Sequence, residues 1–346
     1  MRLYDNYEMM KRLFFACLLF LSLHVSSQDL RFSKTGEFKI VQFTDLHYNG
    51  SAQSKVALSV VDSVLQHEHP DLIVLTGDVL WARPGKENLL AVLGRISKYN
   101  VPFVYEFGNH DSETTGLSNR ELYNIARTVK NNLLPDLSAQ KELDYTLRIK
   151  SHDGKKTAAV LYCMDTHSYP AGFPEDKSRG TYAWLTSDQV QWYRQQSAAF
   201  TKENGDVPYP ALAFIHIPLP EYHDAVRDEN AIMTGTRREA ACSPIFNSGM
   251  FTAVKECGDV MGIFCGHDHD NDYSVMWHDV LLAYGRYSGG NTVYNHLPCG
   301  ARIIVLKEGK RGFDTYIRER KGKVLDETTY PDSYVSDDWQ KRPLED

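Results

Sequence analysis

Apolar runs punctuate the chain, and five of them end in a polar cluster. Residues 38–43 (FKIVQF) lead into Asp45-Leu46-His47, and residues 72–75 lead into Gly77-Asp78. Residues 101–107 precede Gly108-Asn109-His110-Asp111, residues 211–215 precede His216, and residues 260–265 precede Gly266-His267-Asp268-His269. Runs this short, rich in branched and aromatic side chains, predict buried strands. Between the first of them Val56, Val60, Val61, Val64 and Leu65, then Leu89, Leu90, Leu93 and Ile96, recur at helical spacing. The chain therefore opens β-α-β-α-β.

Ser118 with Glu121, and Thr186 with Gln189, have the capping-box form and mark two further helix starts. Residues 145–149 and 157–164 flank His152-Asp153-Gly154 and predict a hairpin. More strands are expected near 281–284, 302–306 and 313–317. No repeat or Gly/Ser linker divides the chain, so residues 28–320 are expected to form one catalytic domain, followed by a charged tail at 321–346. Residues 168–184 and 220–246 have no periodicity and are expected to be rim loops. Because every polar cluster follows a strand's carboxyl end, the pattern points to an α/β protein whose site lies along that edge.

Composition adds limits. The chain has 346 residues, 42% hydrophobic and 24% charged, which excludes collagen-like and disordered classes. Lys11 and Arg12 precede the apolar run 13–23, and Val25-Ser26-Ser27 offers small residues for cleavage, so residues 1–27 are expected to be a signal peptide. The run is about half the ~20 residues of a membrane span, and the mature protein is expected to be secreted or periplasmic without a span. Loss of Arg2, Lys11 and Arg12 against Asp5 and Glu8 takes the formal charge from −7 to −8. An acidic balance argues against an extended nucleic-acid surface. Five cysteines remain in the mature chain. Cys163 and Cys265 fall in apolar strands, and Cys242 with Cys257 or Cys299 is the expected disulfide.

The clusters supply two carboxylates, one amide and four imidazoles of ligand type: Asp45, His47, Asp78, Asn109, His216, His267 and His269. Two divalent ions held by two carboxylates leave a net charge of about +2, which suits a phosphate group and acidifies a bridging water. Asp78, from the middle of the first three strands, is the natural bridging ligand. Asp45, His47 and His269 would complete one site; Asn109, His216 and His267 the other. A mixed N/O donor set suits Zn, Mn or Fe better than Ca. His110 is left to donate a proton to the leaving oxygen, with Asp111 fixing its tautomer. Taken singly each cluster is weak, since a lone Gly-Asp is a common turn and a lone histidine at a strand end is usually a core residue.

The ordered set Asp-x-His, Gly-Asp, Gly-Asn-His-Asp, His, Gly-His-x-His resembles that of the calcineurin-like metallophosphoesterases. The resemblance covers residues 39–287. It implies a four-layer α-β-β-α sandwich of two mixed sheets flanked by helices. It also implies one metal held by Asp45, His47, Asp78 and His269, a second by Asp78, Asn109, His216 and His267, and His110 as the catalytic histidine. Residues 38–47, 214–218 and 266–273 are similar to a subgroup related to purple acid phosphatases. Purple enzymes, however, carry a tyrosine where this chain has Trp81 and a glycine where it has His47. The departure implies a colourless site with two divalent ions or a mixed pair.

The expected function is phosphomonoester hydrolysis by metal-bridged hydroxide with His110 as general acid. The alternatives are phosphodiesterase or nuclease action in the same site, or a non-catalytic surface binding protein with a metal-stabilised core. Asn109 and Arg286 are expected to meet the substrate phosphate. Asn271 and Asp272 either orient His269 or make a turn, His223 is expected on the surface, and Tyr169, Phe173, Tyr182 and Trp184 are expected to pack within a loop.

Overall fold

A computed structural model describes residues 29–170, 182–290 and 292–335. It opens with β1 (Glu37–Phe43), α1 (Lys55–Glu68), β2 (Leu72–Thr76), α2 (Gly85–Ser97) and β3 (Phe103–Glu106). Ala57, Val60, Val61, Val64 and Leu65 bury one face of α1, which packs on the sheet. The helix stops at His69, whose left-handed φ of 46° turns its N–H back to the Leu65 carbonyl. The three strands then pair in parallel, with Val41 opposite Ile73 and Val74 opposite Val104.

Two short helices follow, α3 (Asn109–Thr115) and α4 (Asn119–Ala126), the second closed by the Ser118–Glu121 capping box. The hairpin β4 (Tyr145–Lys150) and β5 (Thr157–Cys163) leads to α5 (Ser187–Glu203), capped by Thr186 and Gln189, and to β6 (Ala211–Phe214). After α6 (Glu221–Ala225), β7 (Met233–Thr234) and α7 (Met250–Cys257) come β8 (Val260–Cys265), β9 (Ser274–Trp277) and β10 (Val280–Tyr284). The chain then runs through β11 (Gly300–Lys307), β12 (Phe313–Glu319) and β13 (Val324–Tyr330).

These strands make two mixed sheets, ordered β13-β12-β11-β1-β2-β3 and β4-β5-β6-β8-β10-β9-β7. Alternation decides how they stack. Leu161, Cys163, Leu212 and Phe214 join the residues of the first sheet in one core, whereas Val160, Tyr162, Ala211 and Ala213 pack with Tyr193, Phe200, Phe251 and Val254 of α5 and α7. Strands buried on both faces read as continuous apolar runs, which is why periodicity alone could not reveal the second sheet. A buried ring such as Phe214, cut to alanine, would cost about 3–5 kcal/mol. The layers are therefore helix, sheet, sheet, helix.

The expected tail is corrected in part. Val324–Tyr330 pairs antiparallel with β12, and the buried Tyr334 hydroxyl bonds Ser274 Oγ at 2.6 Å and Thr328 Oγ1 at 2.8 Å. Charged residues on the outward positions masked the strand in the sequence. The expected rim segment 220–246 carries α6 and β7, and β7 joins the edge of the second sheet. Neither expected disulfide forms: Cys242 is a free thiol whose Sγ lies 3.6 Å from the Ala240 carbonyl, and Cys257 is also free. The expected signal peptide, residues 1–27, lies outside the described residues, as do residues 336–346. Among the described residues no helix is long and apolar enough to cross a membrane.

Candidate metal centre

The carboxyl ends of β1, β2 and β3 meet those of β6 and β8 at one edge, and buried polar ties hold the two sheets there. Gln42 Nε2 bonds Thr76 Oγ1 at 2.9 Å and the Cys265 carbonyl at 3.0 Å, so β1, β2 and β8 are clamped just beneath the site. Past the strand ends the chain turns sharply. Asp45, His47, Asp78 and His267 have left-handed φ values of 55°, 47°, 49° and 81°. Such backbone costs on the order of 1–3 kcal/mol per residue and persists where surrounding structure enforces it. Glycines permit the close approach: a Cβ at Gly108 would stand 2.1 Å from Asp78 Oδ1, and one at Gly266 1.9 Å from Thr44 Oγ1.

Hydrogen bonding decides which atoms face inward. Asp45 Oδ2 accepts from Thr44 Oγ1 at 2.6 Å, and Asp78 Oδ1 accepts from the His110 amide at 2.8 Å. His216 Nδ1 lies 2.8 Å from the Thr76 carbonyl and His269 Nδ1 2.8 Å from the Tyr294 carbonyl, so each Nδ1 carries a proton and each Nε2 is the nitrogen turned to the centre. Two groups result, Asp45 with His47 and His269, and Asp78 with His216 and His267, each with its donor atoms within 4.8 Å of one another. Asp78 Oδ2 stands between them, 3.8 Å from His47 Nε2 and 3.3 Å from His216 Nε2.

The donor atoms fit a metal better than they fit each other. Asp78 Oδ2, Asn109 Oδ1, His216 Nε2 and His267 Nε2 are buried with no hydrogen-bond partner, and the 3.3 Å approach of His216 to Asp78 lacks hydrogen-bond geometry. His47 Nε2 and His269 Nε2 lie 3.1 Å apart. Buried donors left unpaired cost about 1–3 kcal/mol each, so a convergent set of them is unexplained without an ion. The electrostatics divide the histidines. Burial pushes His47 and His267 down to about 3, leaving neutral imidazoles. At His216 burial is outweighed by the Asp78 charge, which lifts the ring to about 10, so without an ion its Nε2 carries a proton that a bound metal would displace, while Asp45 is held at about 2, against its burial, by His269 and His216.

Every expected ligand of the histidine and aspartate type is thus brought together, and Asn109 follows with its carbonyl oxygen buried and unpartnered. The same structure corrects two other expectations. Arg286 is 2% exposed and points away from the centre: its Nε donates to the Pro298 carbonyl at 2.7 Å, Nη1 pairs with Asp272, and Nη2 reaches Glu319 at 3.2 Å. Asp111 does not touch His110. Its oxygens accept the amides of Leu80 at 3.0 Å and Gly108 at 2.9 Å, and burial with the nearby Asp78 charge raises it to about 7. His110 Nδ1 instead meets Glu113, while its Nε2 lies 4.0 Å from Asp78 Oδ2.

Asn271 holds the amides of Arg238 and Glu239, and Asp272 holds that of Thr236, so neither orients His269. A further grouping, Glu239 with Cys242 and Asp268, is engaged with the amides of Asp270 and Cys242 and with Tyr284 and Tyr294. It pins the loop beside the centre. Tyr169 and Tyr182, expected to pack in a loop, reach the site: their rings stack at 5.9 Å, Tyr182 meets His267 edge-on at 4.4 Å, and the Tyr169 hydroxyl lies 3.5 Å from Asn109 Nδ2. Trp184 packs on Phe246, and Phe173 lies outside the described residues. His223 lies at the surface, partly exposed.

Fold and donor set define a metallophosphoesterase, and the chain belongs to the calcineurin-like phosphoesterase family, whose model matches residues 38–271. Its relatives include a protein of Arabidopsis thaliana named probable inactive purple acid phosphatase 14, 30% identical over 85% of this chain and 82% of the relative. A dimetal phosphatase from Danio rerio shares the fold with a TM-score of 0.61 at 15% identity, over 86% of this chain and 99% of that one. The purple acid phosphatase of yellow lupin (Lupinus luteus) seeds follows with a TM-score of 0.54 at 12% identity, over 89% of this chain and 55% of that one.

Proposed function

We propose that the protein is a metal-dependent phosphomonoesterase. The observation that carries this is the convergence of unpartnered buried donors on Asp78 Oδ2, beside a half-buried histidine that no donor group claims. Two divalent ions of the Zn, Mn or Fe type, held by Asp45, His47, Asp78 and His269 and by Asp78, Asn109, His216 and His267, would supply positive charge against the phosphate oxygens and acidify water. The chain's own part is to orient and to move a proton. Asn109 presents its amide beside Tyr169 toward the phosphate. His110 gives the Nε2 proton to the leaving oxygen as the phosphorus–oxygen bond breaks, a contribution of about 10² to 10⁴ in rate.

Metal analysis of the protein as purified, with turnover of an aryl phosphate and its bis-aryl diester, tests the proposal. Cleavage of the diester alone would refute the monoesterase and favour a phosphodiesterase. The word "inactive" in the name of the Arabidopsis relative favours a second reading, a binding protein whose core is stabilised by metal. Activity lost on chelation, restored by metal and abolished by His110→Ala at unchanged metal content would exclude it. Secretion or delivery to the periplasm is proposed from Lys11, Arg12 and the apolar run 13–23. A mature protein beginning at Gln28 by mass spectrometry would bear this out, and retention of residue 1 would refute it.

A further inference from the structure

We infer that Glu113 and Trp81 are the positioning residues that hold His110 in its proton-donating orientation, a step that rests on the phosphoesterase reading above. His110 and Glu113 stand three residues apart on α3 and so share one face of the helix, whereas Asp111 projects elsewhere and spends both oxygens on the amides of Leu80 and Gly108. Glu113 meets His110 Nδ1. That contact commits one ring nitrogen outward and leaves Nε2 on the side of Asp78 Oδ2, 4.0 Å away. Trp81 closes a second direction: its ring meets that of His110 edge-on at 4.4 Å and 82°, and that of His47 at 5.1 Å and 71°. A ring with one nitrogen bonded and one side blocked by indole cannot flip without losing both contacts.

The His110 side chain is 24% exposed and that of Glu113 44%, so the pair adds little to folding, and its value lies in orientation. In the reaction the bond from phosphorus to the leaving oxygen breaks as the Nε2 proton moves to that oxygen. Water forms the new bond to phosphorus and releases its proton to solvent, and the neutral imidazole keeps its Nδ1 proton toward Glu113 until solvent reprotonates Nε2. Proton donation matters most when the leaving alkoxide or phenoxide is basic. A positioning residue for the donor should therefore show its effect only there.

The test compares metal-loaded wild type, Glu113→Gln, Trp81→Phe and His110→Ala on aryl phosphates from phenyl to 2,4-dinitrophenyl. Glu113→Gln is expected to lower kcat on phenyl phosphate by about 10- to 100-fold with KM little changed, and by less than about 3-fold on the dinitrophenyl ester. Trp81→Phe should follow the same pattern more weakly, and in the His110→Ala background Glu113→Gln should add nothing. In spectra of ¹⁵N-histidine-labelled protein, the His110 Nδ1–H signal, assigned by its loss in His110→Ala, should be seen in wild type and lost in Glu113→Ala. An equal loss on all esters, no loss, or additivity with His110→Ala would overturn the inference while leaving the phosphoesterase reading intact. A metal-loaded wild type that cleaves no ester would overturn both.

Discussion

Two buried polar regions lie at neighbouring strand ends and have opposite bookkeeping. Around Arg286 and Arg302, past β10 and in β11, every strong donor is spent. Arg286 serves Pro298, Asp272 and Glu319, and Arg302 donates from Nη1 to Thr315 Oγ1 at 3.0 Å and from Nη2 to the Asp272 carbonyl at 2.6 Å. Around Asp78 the strongest donors and acceptors are left over. Both places are buried and carry charged groups; satisfaction is what differs. A closed network locks one conformation, and an open one is reserved for something that arrives.

Three substitutions would break or sharpen that contrast. Asp78→Asn removes the carboxylate shared by both donor groups. It should strip the bound metal and lower kcat/KM on an aryl phosphate by on the order of 10³ or more, with circular dichroism unchanged. Elemental analysis and initial rates would show whether the two groups are in fact joined. Arg286→Met should do the reverse. Asp272 would be left buried and unpaired, at a cost of about 3–5 kcal/mol in urea unfolding, while metal content per folded molecule stays the same. If Arg286→Met raised KM at unchanged stability, the closed network would have to be counted as part of the site.

A third, smaller effect comes from Asp144, which is hydrogen-bonded but, among the described residues, has no lysine or arginine paired with its oxygens. It accepts from the Asp165 amide at 2.9 Å and Gln189 Nε2 at 3.0 Å, and burial raises it from 3.8 to about 7. The folded state then holds a proton that the unfolded chain releases, so the contribution of Asp144 to stability should fall as pH rises from about 4 to about 7 and level off above. Asp144→Asn keeps the accepting oxygen and removes that slope. It should match wild type near pH 4 and exceed it at pH 8 by at most about 4 kcal/mol, read from unfolding midpoints at the two pH values. A constant difference across that range would show that Asp144 is already ionised in the fold.

Much of this was legible in the chain. The β-α-β-α-β opening, both capping boxes and the hairpin follow from spacing alone, because local periodicity and caps are local physics. The ligand residues were legible because each ends a strand, and parallel strand ends are forced to one edge. Glu113 rather than the neighbouring Asp111 meets His110, because adjacency in sequence on a helix is not adjacency in space. The first turn of a helix rotates the next residue away and brings the third back. With the helix starting at Asn109, the i to i+3 spacing points from His110 to Glu113. Arg286 gave no such clue, since an arginine after a strand reads the same whether it faces a ligand or a carboxylate.

The sequence by itself determined the donor types, their order and their attachment to strand ends. Those depend on composition and short-range periodicity. Only the tertiary structure decided which donors stay unpaired, which nitrogen of each histidine faces inward, and that residues 324–330 complete a sheet. Each of those outcomes depends on hydrogen bonds closed between residues far apart in the chain, as between His216 and Thr76 or between Arg286 and Glu319. Local pattern places a polar group at an edge, but the partner that satisfies it, or fails to, is supplied by the fold.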